Sequence, residues 1–229
     1  MTKLVIPGDM LTEKVIRSPY VFIREGKSFA AVIGTFDSEN ERFVPLKGAY
    51  LPQLGDVVIG AVEEEKVIGY QIDLFAPYKG LIFSRGLRSA LSQGDIISAE
   101  ISEVSEVKDV ILDRPRTLRG GQIVFIPPTK VSRIIGKQMS MLQLLQRGTG
   151  CEIFVGKNGV VWVKGQNASK AIETILKIER ESHTRGLTER IQKYLGVESM
   201  PTMSQASSVS ETRQERAPPR EGRESSSFD

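Results

Sequence analysis

Near residue 120 the hydrophobic period of this chain changes, and that change limits what it can fold into. Residues 1–113 read as β structure throughout, in short apolar runs broken by turn residues. Beyond about 120, short β-rich runs alternate with segments of helical spacing. Such a pattern builds a string of small β and α+β units rather than one layered sheet, and 229 residues are enough for two or three of them.

In the β half, Tyr20–Arg24 and Ser28–Phe36 flank Glu25-Gly26-Lys27, a hairpin signal. Phe43-Val44-Pro45-Leu46 follows, with Pro45 marking an edge or a strand end. Leu51 to Asp56 turns the chain into a second unit with candidate strands at 56–63, 67–74, 79–83, 95–104 and 107–112. Tyr70, Ile72 and Leu74 alternate with Gln71 and Asp73, the period of a half-buried strand. Five short strands punctuated by Gly55, Gly69, Gly80 and Gly94 suit a small closed barrel of the OB type.

In the second half, Gly121–Ile126 is a strand stopped by Pro127-Pro128. Val131–Ile135 and Ser140–Gln146 read as two short helices around Gly136-Lys137-Gln138. Cys151–Val155 and Val160–Val163 flank Gly156-Lys157-Asn158-Gly159, where Asn-Gly signals a two-residue hairpin. Ala168, Ala171, Ile172, Ile175 and Ile178 then fall at helical spacing, with Asn167 placed to cap the first turn. A last helix is expected over Leu187–Leu195. The order β-α-α-β-β-α, with a glycine loop between the first two helices, is that of a KH domain.

Net charge is +3 overall but unevenly spread: +1 over residues 1–50, −6 over 51–113, +10 over 114–196 and −2 over 197–229. Positive charge gathered in one segment suits a polyanion, the alternative being an ordinary solvated basic surface. The sharpest candidate is Arg133-Ile134-Ile135-Gly136-Lys137-Gln138-Met139. A KH loop of the form Gly-x-x-Gly clamps a nucleic-acid backbone, because glycine lets phosphates reach the free N–H groups of a helix start. Gly136 and Lys137 fit; Met139 stands where the second glycine belongs and crowds the approach. In the barrel, Tyr70, Phe75, Tyr78 and Phe83 are candidates either for stacking bases or for filling the core. Tyr70 and Tyr78, with polar tips, are the expected exposed pair, and Lys79, Arg85 and Arg88 follow them for phosphates. Glu63-Glu64-Glu65 reads as a solvated hairpin tip.

Enzymatic signals are poor. There is no phosphate-binding Gly-x-x-x-x-Gly-Lys-Ser/Thr loop and no dinucleotide fingerprint. One cysteine, Cys151, and one histidine, His183, supply neither a disulfide nor a zinc site, and His183 reads as a cap or packing residue. No apolar run approaches the roughly 18 residues of a membrane span, and the N-terminus lacks a secretory h-region. A cytoplasmic protein without cofactor or metal is expected. From about 199 the chain turns to Ser, Arg, Glu and Pro and is too poor in apolar residues to fold.

Several motifs stand in a specific order: Val5 to Asp9 (Val-Ile-Pro-Gly-Asp), residues 44–50 (Val-Pro-Leu-Lys-Gly-Ala-Tyr), residues 55–60 (Gly-Asp-Val-Val-Ile-Gly), Arg133-Ile134-Ile135-Gly136-Lys137, Gly156-Lys157-Asn158-Gly159, and residues 181–191 (Glu-Ser-His-Thr-Arg-Gly-Leu-Thr-Glu-Arg-Ile). Over residues 1–195 this series resembles the RNA-binding cap subunit of the archaeal exosome, the ribosomal-RNA-processing protein four family. The resemblance implies an N-terminal β domain, a ribosomal-S-one-like barrel and a KH domain, with no catalytic site. It implies that three copies sit on a hexameric ring of ribonuclease-PH-like subunits that degrades RNA from the three-prime end with phosphate. Residues 1–50 then dock on the ring, the barrels surround the pore through which RNA enters, and adenine-rich RNA is preferred. In this family the Gly-x-Asn-Gly motif packs domains together rather than binding RNA. The long polar tail has no counterpart that carries over.

The expected architecture is therefore multidomain, mainly β and then α+β: an N-terminal β domain at 1–52, an OB-type RNA-binding barrel at 53–114, a KH domain at 115–196 and a disordered tail at 197–229. The expected RNA contacts are Arg133, Gly136, Lys137, Gln138, Tyr70, Tyr78, Lys79, Arg85 and Arg88. The competing function is a free-standing single-strand RNA-binding factor acting on ribosomes or messenger RNA. A nuclease in its own right has little room for an active site.

Overall fold

The computed structural model describes residues 2–18, 20–85, 87, 89–105, 109–182, 184 and 186–197. Residues 1–197 form one compact unit. The expected disordered tail lies, beyond Val197, outside the described residues, as do Arg88 and His183.

Six short strands open the chain: β1 (Thr2–Val5), β2 (Met10–Thr12), β3 (Val21–Arg24), β4 (Lys27–Ala30), β5 (Gly34–Asp37) and β6 (Arg42–Pro45). They make two three-stranded sheets, β1-β5-β6 and β2-β4-β3. The β3–β4 hairpin turns through Glu25 and Gly26, both left-handed at φ 52° and 75°. The single strand expected over 28–36 is two strands in different sheets. The Ala30 N–H goes to the Asp9 carbonyl and the Ala31 N–H to the Tyr20 carbonyl, which carries the β2 and β3 pairing to the end of β4; the chain then bends at 31–33 before β5 pairs with β1 and β6. Val5, Leu11, Tyr20, Ala30, Phe36 and Phe43 are the buried core of this region.

The barrel strands are β7 (Val57–Lys66), β8 (Gly69–Asp73), β9 (Lys79–Phe83), β10 (Ile96–Val104) and β11 (Val110–Thr117). They close in the order β10-β11-β9-β8-β7, with a short parallel pairing of β11 on β9 at Val110–Gly80 and Ile111–Leu81. Closure removes the open edges a five-stranded sheet would leave. Ile72, Leu74, Ile82, Ile97 and Ile101 fill the interior, each contributing about 1.5–3 kcal/mol relative to exposure. The chain enters the barrel through two tyrosines. The Tyr20 hydroxyl donates to the Ala49 carbonyl at 3.1 Å. Tyr50, in the barrel core, donates to Asp56 Oδ2 at 2.8 Å.

The third part comprises β12 (Gln122–Phe125), α1 (Val131–Ile135), a 3-10 turn (Lys137–Met139), α2 (Ser140–Thr149), β13 (Glu152–Val155), β14 (Val160–Lys164), α3 (Ala168–Arg180) and α4 (Leu187–Leu195). Its antiparallel sheet runs β12-β14-β13. The helices bury Ile134, Leu145, Ile175, Ile178 and Ile191 against Ile153 and Val163. The apolar spacing of α3 is borne out, since Ala171, Ile175 and Ile178 are fully buried. Asn167 precedes α3 but makes no capping bond; its Nδ2 donates instead to the Thr149 carbonyl at 2.9 Å, tying α3 to the end of α2.

Candidate nucleic-acid interface

The loop between α1 and α2 collects four of the expected contacts. Arg133 is exposed on the last turn of α1, and Lys137 and Gln138 are exposed just beyond it. Gly136 joins them at φ 73° and ψ 173°, where a Cβ would lie 2.7 Å from the Met141 nitrogen and 2.8 Å from its Cβ. Only glycine fits there. Gln138 (φ 51°, ψ 37°) and Met139 (φ 63°, ψ 14°) are both left-handed, a conformation that costs a non-glycine residue about 1–2 kcal/mol. The backbone at Met139 therefore holds a shape glycine would adopt freely, while its side chain stands 54% exposed. No side-chain hydrogen bond caps α2. Its first-turn N–H groups, beside Lys137, are the kind of donors a phosphate takes.

The barrel aromatics sort in the opposite way to expectation. Tyr70 is 6% exposed and belongs to the barrel core. The cause is its own alternation: it shares the inward face with Ile72 and Leu74. Tyr78 is half-buried and packs against the same core. The exposed rings are Phe75 (39%) and Phe83 (44%). Tyr70 is thus removed from any stacking surface.

Lys79 is exposed but bound by Glu63, with Nζ 2.5 Å from Oε1. Glu63 also accepts from Gln71 Nε2 at 2.9 Å. Hydrogen bonds from Lys79 and then Gln71 hold the Glu63 carboxyl below its usual range, and the same pair raises Lys79. The Glu63-Glu64-Glu65 run lies within β7 rather than at the hairpin tip, which is Val67-Ile68. Arg85 is exposed after β9, on a groove of about 600 Å³ that Phe83, Leu91, Leu112 and Arg114 also line. Arg114 is itself paired with Glu100 at 3.0 Å. The structure thus gathers Arg133, Gly136, Lys137 and Gln138 at one loop and places Arg85 at a separate barrel groove.

The feature that sequence reading by period and turn type missed is the seam between barrel and third part. Gly156–Gly159 is a four-residue connection, not a two-residue hairpin, and Asn158 is only 6% exposed. Its Nδ2 donates to the carbonyls of Ile59 and Leu74, each at 2.7 Å, and its Oδ1 accepts from the Ile59 N–H at 3.3 Å. The Lys157 N–H adds a bond to the Val57 carbonyl at 2.8 Å. Gly159 (φ 87°) passes so close to β12 that a Cβ would sit 2.2 Å from the Ile126 carbonyl oxygen. Ile59, Leu118, Val160 and Trp162 form a buried cluster across the seam, and the Trp162 indole donates to the Gly120 carbonyl at 2.7 Å. This is the internal packing that the resemblance implies for the motif. Its signal in the sequence was an asparagine between two glycines, which is also the signal of an ordinary turn.

Among the described residues no three His, Cys, Asp or Glu side chains gather to hold a metal ion. What the arrangement offers is exposed cations on a glycine loop, a groove and exposed rings: binding chemistry.

Residues 121–169 match the KH domain family. The chain is 37% identical to the exosome complex component Rrp4 of Thermococcus kodakarensis, over 84% of each chain. It is 35% identical to the protein of the same name from Saccharolobus solfataricus, over 84% of this chain and 87% of that one. Among solved structures, it is similar to a crystal structure of a candidate exosome complex RNA-binding protein, with a TM-score of 0.57 and 31% identity over 65% of this chain and 96% of that one.

Proposed function

This chain belongs to the Rrp4 family of exosome complex components, and from that premise we propose that it is a non-catalytic subunit that delivers RNA to a separate nuclease. The coarse role, an RNA-binding exosome subunit, follows from the family and from the KH domain at 121–169. The finer reading is that the chain recruits single-stranded, adenine-rich RNA in the cytoplasm. A hexameric ring of ribonuclease-PH-like subunits then degrades that RNA by phosphorolysis from the three-prime end. Three copies cap the ring, with residues 1–52 docking on it, 53–114 as the RNA-binding barrel and 115–196 as the KH domain.

The observation that carries the reading is the relatedness over 84% of the chain, which takes in far more than a single KH module. The surface supports it in detail. Arg133 and Lys137 are exposed around a backbone shaped for close approach, and Arg85 lines an open groove. Gly136, Gln138, Tyr78, Lys79 and Arg88 complete the proposed contact set, and Tyr70 leaves it. The apolar side chains Leu4, Ile6, Met10, Phe22 and Ile23 are exposed in the N-terminal region, as a surface that docks on protein requires.

The test is direct. Purified chain is mixed with labelled single-stranded RNA, with phosphate or with magnesium. Retarded but intact RNA is expected under both conditions; sustained protein-dependent degradation overturns the non-catalytic reading.

A further inference from the structure

Two exposed phenylalanines meet across the seam. Phe75 lies in the β8–β9 connection of the barrel and Phe125 ends β12 of the KH part. Their ring centroids are 5.3 Å apart at an interplanar angle of 72°. Yet they remain 39% and 59% exposed, so each leaves much of its ring to solvent. Phe75 is held there deliberately. Its φ is 53°, a conformation uncommon for a bulky residue, and its N–H donates to Asp73 Oδ1 at 2.9 Å. The Asn158 amide fixes the carbonyl of the preceding residue, Leu74, and the Ile126 N–H following Phe125 is bonded to the Gly159 carbonyl at 2.8 Å. Both aromatics are therefore anchored by the same Gly-Lys-Asn-Gly connection, whose remaining side chain, Lys157, is exposed.

We infer that Phe75 and Phe125 form a stacking step for bases of single-stranded RNA where the strand passes from barrel to KH domain. The inference rests on the RNA-binding reading above and adds to it a step across the seam, pairing Phe75 with Phe125, a residue outside the expected contact set. Phenylalanine has no polar handle, so such a step grips any base by its π-face and leaves sequence choice to other contacts. Lys157 is the adjoining cation for a phosphate. The neighbouring carboxylates are engaged: Asp73 with the Phe75 N–H, and Glu63 with Lys79. A strand that reaches both nucleic-acid modules has to cross the seam, and this pair is an exposed aromatic surface anchored on it by backbone hydrogen bonds.

The experiment measures the affinity of the full chain for a labelled single-stranded oligonucleotide, comparing wild type with Phe75→Leu/Phe125→Leu. Leucine keeps apolar volume but has no ring face. A thermal melt of both proteins controls for folding. In parallel, wild type is photo-crosslinked to a 4-thiouridine oligonucleotide and the attached peptides are mapped. The inference expects about tenfold weaker binding by the variant, with crosslinks in the peptides holding Phe75 and Phe125. Unchanged affinity with crosslinks elsewhere overturns the stacking step and leaves the RNA-binding reading standing. No binding by wild type overturns that reading and this inference with it. If the variant fails to fold, the crosslink map alone decides.

Discussion

Asn158 and Ile59 exchange a pair of hydrogen bonds through the side chain of one and the backbone of the other. The Asn158 Nδ2 donates to the Ile59 carbonyl at 2.7 Å, and its Oδ1 accepts from the Ile59 N–H at 3.3 Å. The reason lies in the barrel ladder. Pairing of β7 with β8 ends at Ala61–Asp73, so at the fully buried Ile59, which faces β10 on one side, the β8 side of β7 has no strand partner. A carboxamide carries the same donor and acceptor as a peptide unit and takes the place of the missing strand. The third bond, to Leu74, binds the same amide to the chain that has just left β8.

Asn158→Ala leaves two carbonyls and one N–H without partners in a buried seam. The expected loss is about 3 kcal/mol of unfolding free energy, read by urea denaturation. The melt should also lose cooperativity as barrel and KH part uncouple. A loss under 1 kcal/mol contradicts the role given to this amide.

Charge reversal at Arg133 and Lys137 should weaken RNA binding more than reversal at Lys3 and Lys14, because the first two flank the glycine loop and Lys14 is already paired with Glu41 at 2.7 Å. Single-strand affinity falls with log salt by about 0.7 per phosphate contact. The Arg133/Lys137 double variant should therefore show a slope shallower by about 1.4. Equal effects at both places remove the KH loop from the interface.

Met139→Gly separates strain from function. The substitution removes a left-handed methionine, worth about 1–2 kcal/mol, against about 0.4–1 kcal/mol of added chain entropy in the unfolded state. A small rise in stability, about 0.5 kcal/mol, is expected together with severalfold tighter RNA binding as the loop opens. Tighter folding with unaltered binding shows that the loop does not clamp RNA.

Tyr50 gives the protein a sensitivity to alkali. Burial, and then its hydrogen bond to the Asp56 carboxylate, push the phenol far above its usual range. A group whose folded value is raised stabilises fully below its unfolded value, near pH 10, and loses that contribution as pH climbs beyond it. Unfolding free energy measured from pH 8 to 11 should fall steeply above pH 10. Tyr50→Phe should be about 1 kcal/mol less stable at pH 8 and show a gentler alkaline fall.

Much of the fold was legible because short strands and helices carry their period in the chain. Four barrel strands and the four α-helices among the described residues lie close to where alternation and 3.6-residue spacing put them, while β11 runs to Thr117, five residues past the expected 107–112, whose first two residues are outside the described ones. Three features were not legible from local pattern. The strand over 28–36 divides because its first part pairs with β2 and β3 and its second with β1 and β6, and no local pattern records which partners each part will take. The barrel aromatics were misjudged by chemistry: a hydroxyl suggested exposure for Tyr70, while its alternation with Ile72 and Leu74 already placed it inside. The packing role of Asn158 came from the family resemblance and not from local pattern, since the glycines that suit a turn are the same glycines that let a backbone press against another domain. The α1–α2 loop was legible as a candidate from Gly136 and its flanking cations alone, but the left-handed shape at Met139 needed the structure.

The measurement that bears most directly on the account is the native mass of the assembly formed when the full chain is combined with a ribonuclease-PH-like ring, followed by an RNA degradation assay on that assembly. The account predicts a ring carrying three copies of the chain, degradation that requires phosphate, and failure to assemble when the exposed Leu4, Ile6 and Ile23 are replaced by aspartate in a chain that still binds RNA. A chain that stays free of the ring while binding RNA alone contradicts it, and points to the free-standing RNA-binding factor instead.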